Sequence, residues 1–223
     1  MRASTLVLVM GCAFVAAGVA QRFDMQVRDD FFAGFSGDKE ALARAMKNCE
    51  DALKQDAGNA QALVWHGSGL FYQSGQVIQA GDMKKGLELY QRGLSEMESA
   101  VKMAPDDVAV RIPRGAVLLA GSRGMPPEMG RPLIEKALDD YEHTLQLQDD
   151  YWSMLGTHPR GELLFGMAEG YSRLGNQAKA QTYFERIGKE LQGTPYAKRA
   201  ATWLETKTLP ASQTGCVGCH TGK

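Results

Sequence analysis

Three residues near the carboxyl end of the chain have types and spacing that could do chemistry. The sequence ends TGCVGCHTGK, which places Cys216 and Cys219 three positions apart and His220 directly after them. Two thiols at this spacing can bond to each other, to a metal or to one bound group. The adjacent imidazole adds a metal ligand. In an oxidising compartment such a pair does not remain as two idle thiols.

The pattern C-x-x-C-H is the attachment signature of c-type haem. At this motif the chain resembles the c-type cytochromes, in which two thioethers anchor the porphyrin and the histidine binds the iron. The resemblance implies one covalent haem c, anchored by Cys216 and Cys219, with His220 as an axial ligand. Ordinary cytochromes c continue well beyond the motif and supply a second ligand downstream, whereas three residues follow here. The haem would therefore lean on the rest of the chain or on another subunit, or stay largely exposed.

Two other interpretations of the cysteine pair stay open. Cys216 and Cys219 could form a plain disulfide or a thiol-exchange pair, although no βαβ pattern of a thioredoxin fold surrounds them. Zinc could bind Cys216, Cys219 and His220 with a fourth ligand from elsewhere. Structural zinc sites usually show a second ligand pair at short spacing, and none is present in the sequence.

A second iron ligand has few candidates in the sequence. His158 lies in the stretch LGTHPRG, which predicts an irregular segment where a ligand could be displayed, so His158 is the possible second ligand. His66 follows Trp65 on a predicted helix and is typical of a packed core histidine. His143 is expected to be solvated on its helix. Two methionines in a predicted loop are weaker alternatives: Met125 and Met129.

The first 20 residues have the three-part layout of a secretory signal peptide. Arg2 supplies a positive start, residues 6–17 are almost wholly apolar, and small residues precede a predicted cut before Gln21. The chain is therefore expected to be exported to the periplasm or another extracytoplasmic space, with no transmembrane segment in its mature form. A retained anchor, or lipidation at Cys12, is the alternative.

The charge balance argues against a nucleic-acid partner. Residues 1–20 contain one cation and no acid, so the mature chain would carry 24 Lys and Arg against 26 Asp and Glu. Nucleic-acid binding usually requires a basic face. Cys49 would be the third cysteine of the mature chain, and its place at an apolar helix position predicts a buried, unreactive thiol.

The body of the chain repeats one pattern of small and large residues. A small residue is followed by a large one four positions later and a smaller one three further on, which puts them on one helix face. The copies are Ala45, Cys49 and Ala52; Gly93, Met97 and Ala100; Ala137, Tyr141 and Thr144; Ala180, Phe184 and Ile187.

The last copy resembles the tetratricopeptide repeat. The segment LLFGMAEGYSRLGNQAKAQTYFERI gives a helix face with Leu164, Met167 and Tyr171, a Gly175 turn and a second helix. The resemblance covers residues 38–190, loosely outside 164–187. The copies recur every 43 to 48 residues, whereas the family's period is about 34. A HEAT-type helical repeat is the alternative.

We expect an all-α fold, a helical-hairpin repeat solenoid of tetratricopeptide-like type over residues 21–207. The excess length predicts long inter-helix loops at 75–86 and 120–132. Thr194 and Pro195 predict the start of a closing helix with Trp203 facing inward. Residues 208–223 are expected to form a short irregular tail.

These patterns favour an exported scaffold that binds a protein partner, such as a redox protein, through its repeat groove and carries one haem c for electron transfer. The alternative is a pure interaction scaffold whose C-x-x-C is a disulfide or a zinc site. No nucleophile elbow, phosphate loop or two-histidine zinc motif is present in the sequence, so an enzyme is the less favoured class. Capping and solvation explain the paired carboxylates at 29–30, 106–107, 139–140 and 149–150.

Overall fold

The computed structural model describes residues 22–209, which form nine α-helices and two short 3₁₀ segments. The helices are α1 (Asp24–Phe35), α2 (Lys39–Gln55), α3 (Ala60–Gln79), α4 (Met83–Met103), α5 (Val108–Gly121), α6 (Pro127–Leu147), α7 (Thr157–Arg173), α8 (Gln177–Glu190) and α9 (Pro195–Thr206). The described residues contain no β-strand, so the predicted all-α class is confirmed.

The helices pack as four consecutive hairpins followed by a single helix. The pairs in most extensive contact are α3 with α4, α5 with α6, α7 with α8 and α1 with α2, and α9 packs on α8. Short turns connect the two members of each pair, which makes them antiparallel neighbours. Between pairs, α2 packs on α3, α3 on α5 and α6 on α7, so each hairpin rests on the next along the chain.

Polar side chains fix where most of the helices begin. Asp38 accepts hydrogen bonds from the backbone N–H groups of Glu40 and Ala41, which would otherwise lack partners at the start of α2. Asn59, Asp82, Asp107, Asn176 and Thr194 cap α3, α4, α5, α8 and α9 in the same way. The predicted Thr194 cap with Pro195 in the first turn is therefore confirmed.

The repeating small and large residues form the core, as predicted. Of the twelve repeat positions, all but Ala52 are buried: Ala45, Cys49, Gly93, Met97, Ala100, Ala137, Tyr141, Thr144, Ala180, Phe184 and Ile187. These positions lie on α2, α4, α6 and α8, the second helix of each hairpin. The first hairpin also contains α1, which lies before the region of resemblance but within the helical domain predicted over residues 21–207. Its Phe31 is fully buried and stacks on Trp65, with ring centroids 5.0 Å apart.

The prediction of long inter-helix loops was wrong. Residues 75–86 form the end of α3, a turn at 80–82 and the start of α4, so the extra length of the repeat is helical. Gly81 makes the turn with φ of +96°. Gly86 is buried instead, because a Cβ there would lie 2.3 Å from Cγ1 of Ile78. Within 120–132, a 3₁₀ segment at Ser122–Gly124 and the early start of α6 likewise leave a short connection.

Helices α3 and α4 cross with their backbones in contact. A Cβ at Gly93 would lie 2.7 Å from the carbonyl oxygen of Gly67 and 2.8 Å from the backbone nitrogen of Phe71. These distances are shorter than any ordinary carbon contact, so the two helix backbones touch and a side chain has no room. The small residue of the second repeat copy, Gly93, therefore lets the neighbouring helix approach closely.

Helix α9 closes the stack against both helices of the last hairpin. Trp203 is fully buried, stacks on Phe184 of α8 at 4.4 Å between centroids, and donates from Nε1 to Oγ of Ser172 on α7 at 3.0 Å. The inward-facing Trp203 is therefore confirmed. Lys207 ends α9 in the left-handed backbone region with φ of 56°.

Across residues 22–209, none of the helices combines the length and apolar character that crossing a bilayer requires.

We predict that Gly93→Ala lowers the free energy of unfolding by about 1–3 kcal/mol, because the new methyl group meets backbone atoms that cannot rotate away. Urea denaturation followed by circular dichroism measures the change. Gly75→Ala is the matched control within α3, since a Cβ there meets nothing within 4 Å. That control should gain roughly 0.5–1 kcal/mol from the better helix propensity of alanine. A gain in both variants would contradict the tight crossing.

Candidate functional site

The predicted haem-anchoring residues Cys216, Cys219 and His220 lie outside the described residues, as does the predicted signal peptide at 1–20. The described part of the chain ends at Leu209, three residues after α9. Among residues 22–209, no cluster of three or more His, Cys, Asp or Glu side chains could hold a metal ion. The candidate site is therefore built from the histidines and the charged groups of the helical body.

His158 lies on the first turn of α7 and is exposed, as a displayed ligand requires. The predicted irregular segment ends earlier than expected, because α7 begins at Thr157. Nδ1 of His158 is 3.0 Å from Oη of Tyr196, the second residue of α9. The Tyr196 hydroxyl donates in turn to Oε1 of Glu162, one helical turn after His158, at 2.6 Å. We call His158, Tyr196 and Glu162 the imidazole relay.

The direction of the bonds in the imidazole relay fixes where the imidazole proton lies. A phenol has one hydrogen, and Tyr196 gives it to the Glu162 carboxylate. The Tyr196 oxygen therefore accepts from His158, so the Nδ1 of His158 carries a hydrogen. In the neutral imidazole the other nitrogen, Nε2, is then the one with a lone pair. This is the arrangement found in metal-binding histidines, whose second nitrogen donates to a fixed acceptor.

Close packing holds the Tyr196 ring in place. The residue is 6% exposed, and a Cβ at Gly161 would lie 2.4 Å from two of its ring carbons. Gly161 lies between His158 and Glu162 in the sequence of α7. Because it has no side chain, the Tyr196 ring packs directly on α7 at this position. The hydroxyl that orients the imidazole is fixed by the docking of one helix on another.

His66 is a packed histidine, as predicted. It is 3% exposed, and its Nδ1 lies 2.6 Å from Oε2 of Glu96, which bridges α3 to α4. Arg92 donates to the other carboxylate oxygen of Glu96 at 2.8 Å. Burial works to raise the pKa of Glu96, but the hydrogen bonds from His66 and Arg92 outweigh it, and the pKa falls below its ordinary value. The imidazole thus joins α3 to α4 through a partly buried hydrogen bond.

The remaining candidate ligands are less suited. His143 is half-buried rather than solvated, and its Nε2 lies 2.7 Å from Oδ1 of Asp106. Met125 packs against the core, whereas Met129 is exposed on the first turn of α6. These side chains lie on different elements from His158, and the structure does not bring them together with it.

Cys49 is a buried thiol on α2, as predicted, and is fully inaccessible to solvent. Burial raises the pKa of the thiol, and the carboxylates of Glu50 and Glu96 raise it further. The protonated thiol is therefore favoured, and a protonated thiol is a poor nucleophile and a poor metal ligand.

A buried ion cluster between α5 and α6 was not predicted. Asp140 is fully buried and accepts two bonds from Arg114, at 2.7 and 2.8 Å, and one from Arg111 at 3.1 Å. The explanation of residues 139–140 by capping was wrong, because the pair lies in the middle of α6. Two arginines three positions apart in the otherwise apolar α5 were the available signal, since a helix face that buries cations requires a carboxylate opposite.

An open cleft lies beside this ion cluster, with a volume of about 490 Å³. Val101 and Pro132 contribute apolar surface, and Glu98 and Lys136 are among its charged residues. Glu98 accepts bonds from Arg114 at 3.0 Å and Lys136 at 2.9 Å, so these charges already neutralise one another. The cleft shows no unmatched charge that would select a ligand.

The fold places this chain in the class of all-α proteins built from successive helical hairpins. The last hairpin carries an exposed histidine, His158, that is hydrogen-bonded to the closing helix. Comparison with family models, with curated proteins and with solved structures finds no significant match to this chain.

We predict that Asp140→Asn lowers the free energy of unfolding by about 3–5 kcal/mol, because it removes the buried carboxylate that two buried guanidinium groups share. Arg114 then keeps only the partly exposed Glu98 as a counter-charge, and Arg111 keeps only the exposed Asp139. Denaturant titration measures the loss. Asp139→Asn is the matched control, since Asp139 also contacts Arg111, at 3.3 Å, but its side chain is 71% exposed. That variant should lose less than about 1 kcal/mol. Equal losses would contradict a special role for the buried carboxylate.

We also predict that the protein loses stability as the pH falls below 4.5, the ordinary pKa of a glutamate. The depressed pKa of Glu96 means that the unfolded chain takes up the proton first, so the contribution of this carboxylate is present above pH 4.5 and is lost on further acidification. Thermal melting of Glu96→Gln between pH 3 and 6 should show a smaller loss than the wild type. Glu88→Gln, at an exposed position of the same helix, should follow the wild-type profile.

Proposed function

We propose that this chain is an exported helical-repeat scaffold that carries one covalently attached c-type haem and presents it to a protein partner. The observation that carries the proposal is the sequence Cys216-Val217-Gly218-Cys219-His220. The predicted signal peptide supports it independently, because c-type haem is attached outside the cytoplasm in the family that the motif resembles.

The helical body supports the scaffold part of the proposal. Hairpins follow one another along the chain and pack mainly on their neighbours, which is the contact pattern of solenoid proteins. The small residues at the hairpin crossings and the α7–α8 turn at Gly175 agree with a tetratricopeptide-like repeat. Solenoids of this kind bind partners along the extended surface that successive repeats create.

One described side chain supports the haem part of the proposal. Thioether anchors hold a haem without a deep pocket, so the helical body must supply at most a supporting surface and a second ligand. The exposed imidazole of His158, with its Nδ1 hydrogen committed to Tyr196, has the donor chemistry that such a ligand requires. When bound, a haem with two nitrogen ligands supplies one-electron transfer.

The alternative function has the same scaffold without the haem. The repeat surface would bind a peptide or a folded subunit, and Cys216 and Cys219 would form a disulfide or share a zinc ion with His220. The two functions differ at the tail alone, so the covalent state of the cysteines separates them.

We predict that the mature protein, purified from a host that attaches haem c, has an intact mass increased by one haem. Cys216→Ala/Cys219→Ala should abolish the increase because it removes both thioethers. Cys49→Ala is the matched control and should keep the haem, since Cys49 is buried in α2. A wild-type mass lower by two hydrogens, or one raised by a zinc ion under native conditions, would replace the haem proposal with the scaffold alternative.

A further inference from the structure

Three polar groups from three helices meet around the hydroxyl of Tyr171. This hydroxyl, on α7, donates to Oε1 of Glu142 on α6. Nζ of Lys179, on α8, donates to the same hydroxyl oxygen at 2.8 Å and to Oε1 of Glu142 at 3.3 Å. Each of the three side chains is therefore bonded to the other two, and we call Tyr171, Glu142 and Lys179 the phenol cluster.

The phenol of this cluster is buried, whereas its two partners reach the surface. Tyr171 is 7% exposed, and the side chains of Glu142 and Lys179 are 38% and 54% exposed. A substrate molecule therefore has little access to the Tyr171 oxygen. An electron needs no such access, because it can cross packed side chains. The burial of Tyr171 thus favours one-electron chemistry over bond-making on a bound molecule.

The surroundings of Tyr171 keep its hydroxyl protonated. Burial raises the pKa of Tyr171, the hydrogen bond to Glu142 raises it further, and the bond from Lys179 offsets only part of the rise. A phenol that loses an electron becomes strongly acidic and must give its hydrogen to a base. Glu142 already accepts that hydrogen, so the base is in place before the electron leaves.

A second tyrosine extends the phenol cluster toward the surface. The rings of Tyr171 and Tyr183 are almost parallel, with 4° between their planes and 5.8 Å between their centroids. Tyr183 lies on α8 and is half-buried. The stacked pair therefore gives an electron a direct route between the buried phenol and a more exposed ring.

We propose that Tyr171 is a redox-active tyrosine that loses one electron to an outer-sphere oxidant while its proton moves to Glu142. The O–H bond of Tyr171 breaks, an O–H bond forms on the Glu142 carboxylate, a neutral tyrosyl radical is left, and the oxidant is reduced by one electron. Lys179 stays an ammonium and continues to donate to the phenolic oxygen. Reduction of the radical returns the proton from Glu142. The step does not involve the haem, so this inference is independent of the proposed function.

The experiment oxidises the purified full-length protein with photogenerated tris(bipyridyl)ruthenium(III) and records electron paramagnetic resonance after rapid freezing. We expect a radical signal that narrows when the tyrosines are ring-deuterated. Tyr171→Phe keeps the ring that stacks on Tyr183 but should remove most of the signal. Two matched controls should keep it: Tyr90→Phe, since burial alone raises the pKa of Tyr90, and Tyr196→Phe, since Tyr196 donates to a different carboxylate. A signal that survives Tyr171→Phe, or that Tyr196→Phe removes, would overturn the assignment.

A second measurement tests the proton acceptor, with variants whose circular dichroism matches the wild type. The rate at which ruthenium(III) oxidises the protein should fall about tenfold or more in Glu142→Gln, because the positioned base is lost. Glu135→Gln, at an exposed position of the same helix, should react at the wild-type rate. Lys179→Gln removes a positive charge beside the phenol, so it should lower the oxidation potential of Tyr171. A Glu142→Gln variant that reacts as fast as the wild type would overturn the role of Glu142.

Discussion

The close crossing of α3 and α4 is the constraint on which the rest of the fold depends. Gly67 and Gly93 let the two backbones touch, and the pair forms the most extensive contact in the described chain. Half of the residues of α3 are buried, and the helix also contacts α1, α2 and α5. Packing against α4 fixes the position of α3. The contacts that the neighbouring hairpins make with α3 then fix where those hairpins lie.

Charged groups hold the next hairpin, and the balance of forces there differs. Burial raises the pKa of the Asp140 carboxyl, and the bonds from Arg114 and Arg111 offset only part of that effect. The gain in stability over an apolar contact of the same size is small, and the three bonds to Asp140 join α5 to α6 at fixed positions. The crossing at α3 and α4 therefore depends on shape, whereas the crossing at α5 and α6 depends on charge.

Sequence reasoning predicted the features that depend on neighbouring residues and missed those that depend on distant ones. The Thr194 cap and the buried Phe184 follow from spacing within one helix, so they were predicted correctly. Gly86 was interpreted as part of a loop because glycine breaks helices more often than it packs against a side chain such as Ile78. The bond between His158 and Tyr196 joins residues 38 positions apart, and no local pattern contains it.

The position of Tyr196 at the start of the terminal helix has a consequence for motion. In a chain whose contacts are mainly between neighbours, the last helix can open while the remaining hairpins stay closed, and hydrogen exchange would report it as a separate unit of low protection. Each opening of α9 takes the Tyr196 hydroxyl away from both His158 and Glu162 on α7. The rate at which the end of the stack unfolds locally therefore sets how long these two bonds between α7 and α9 persist.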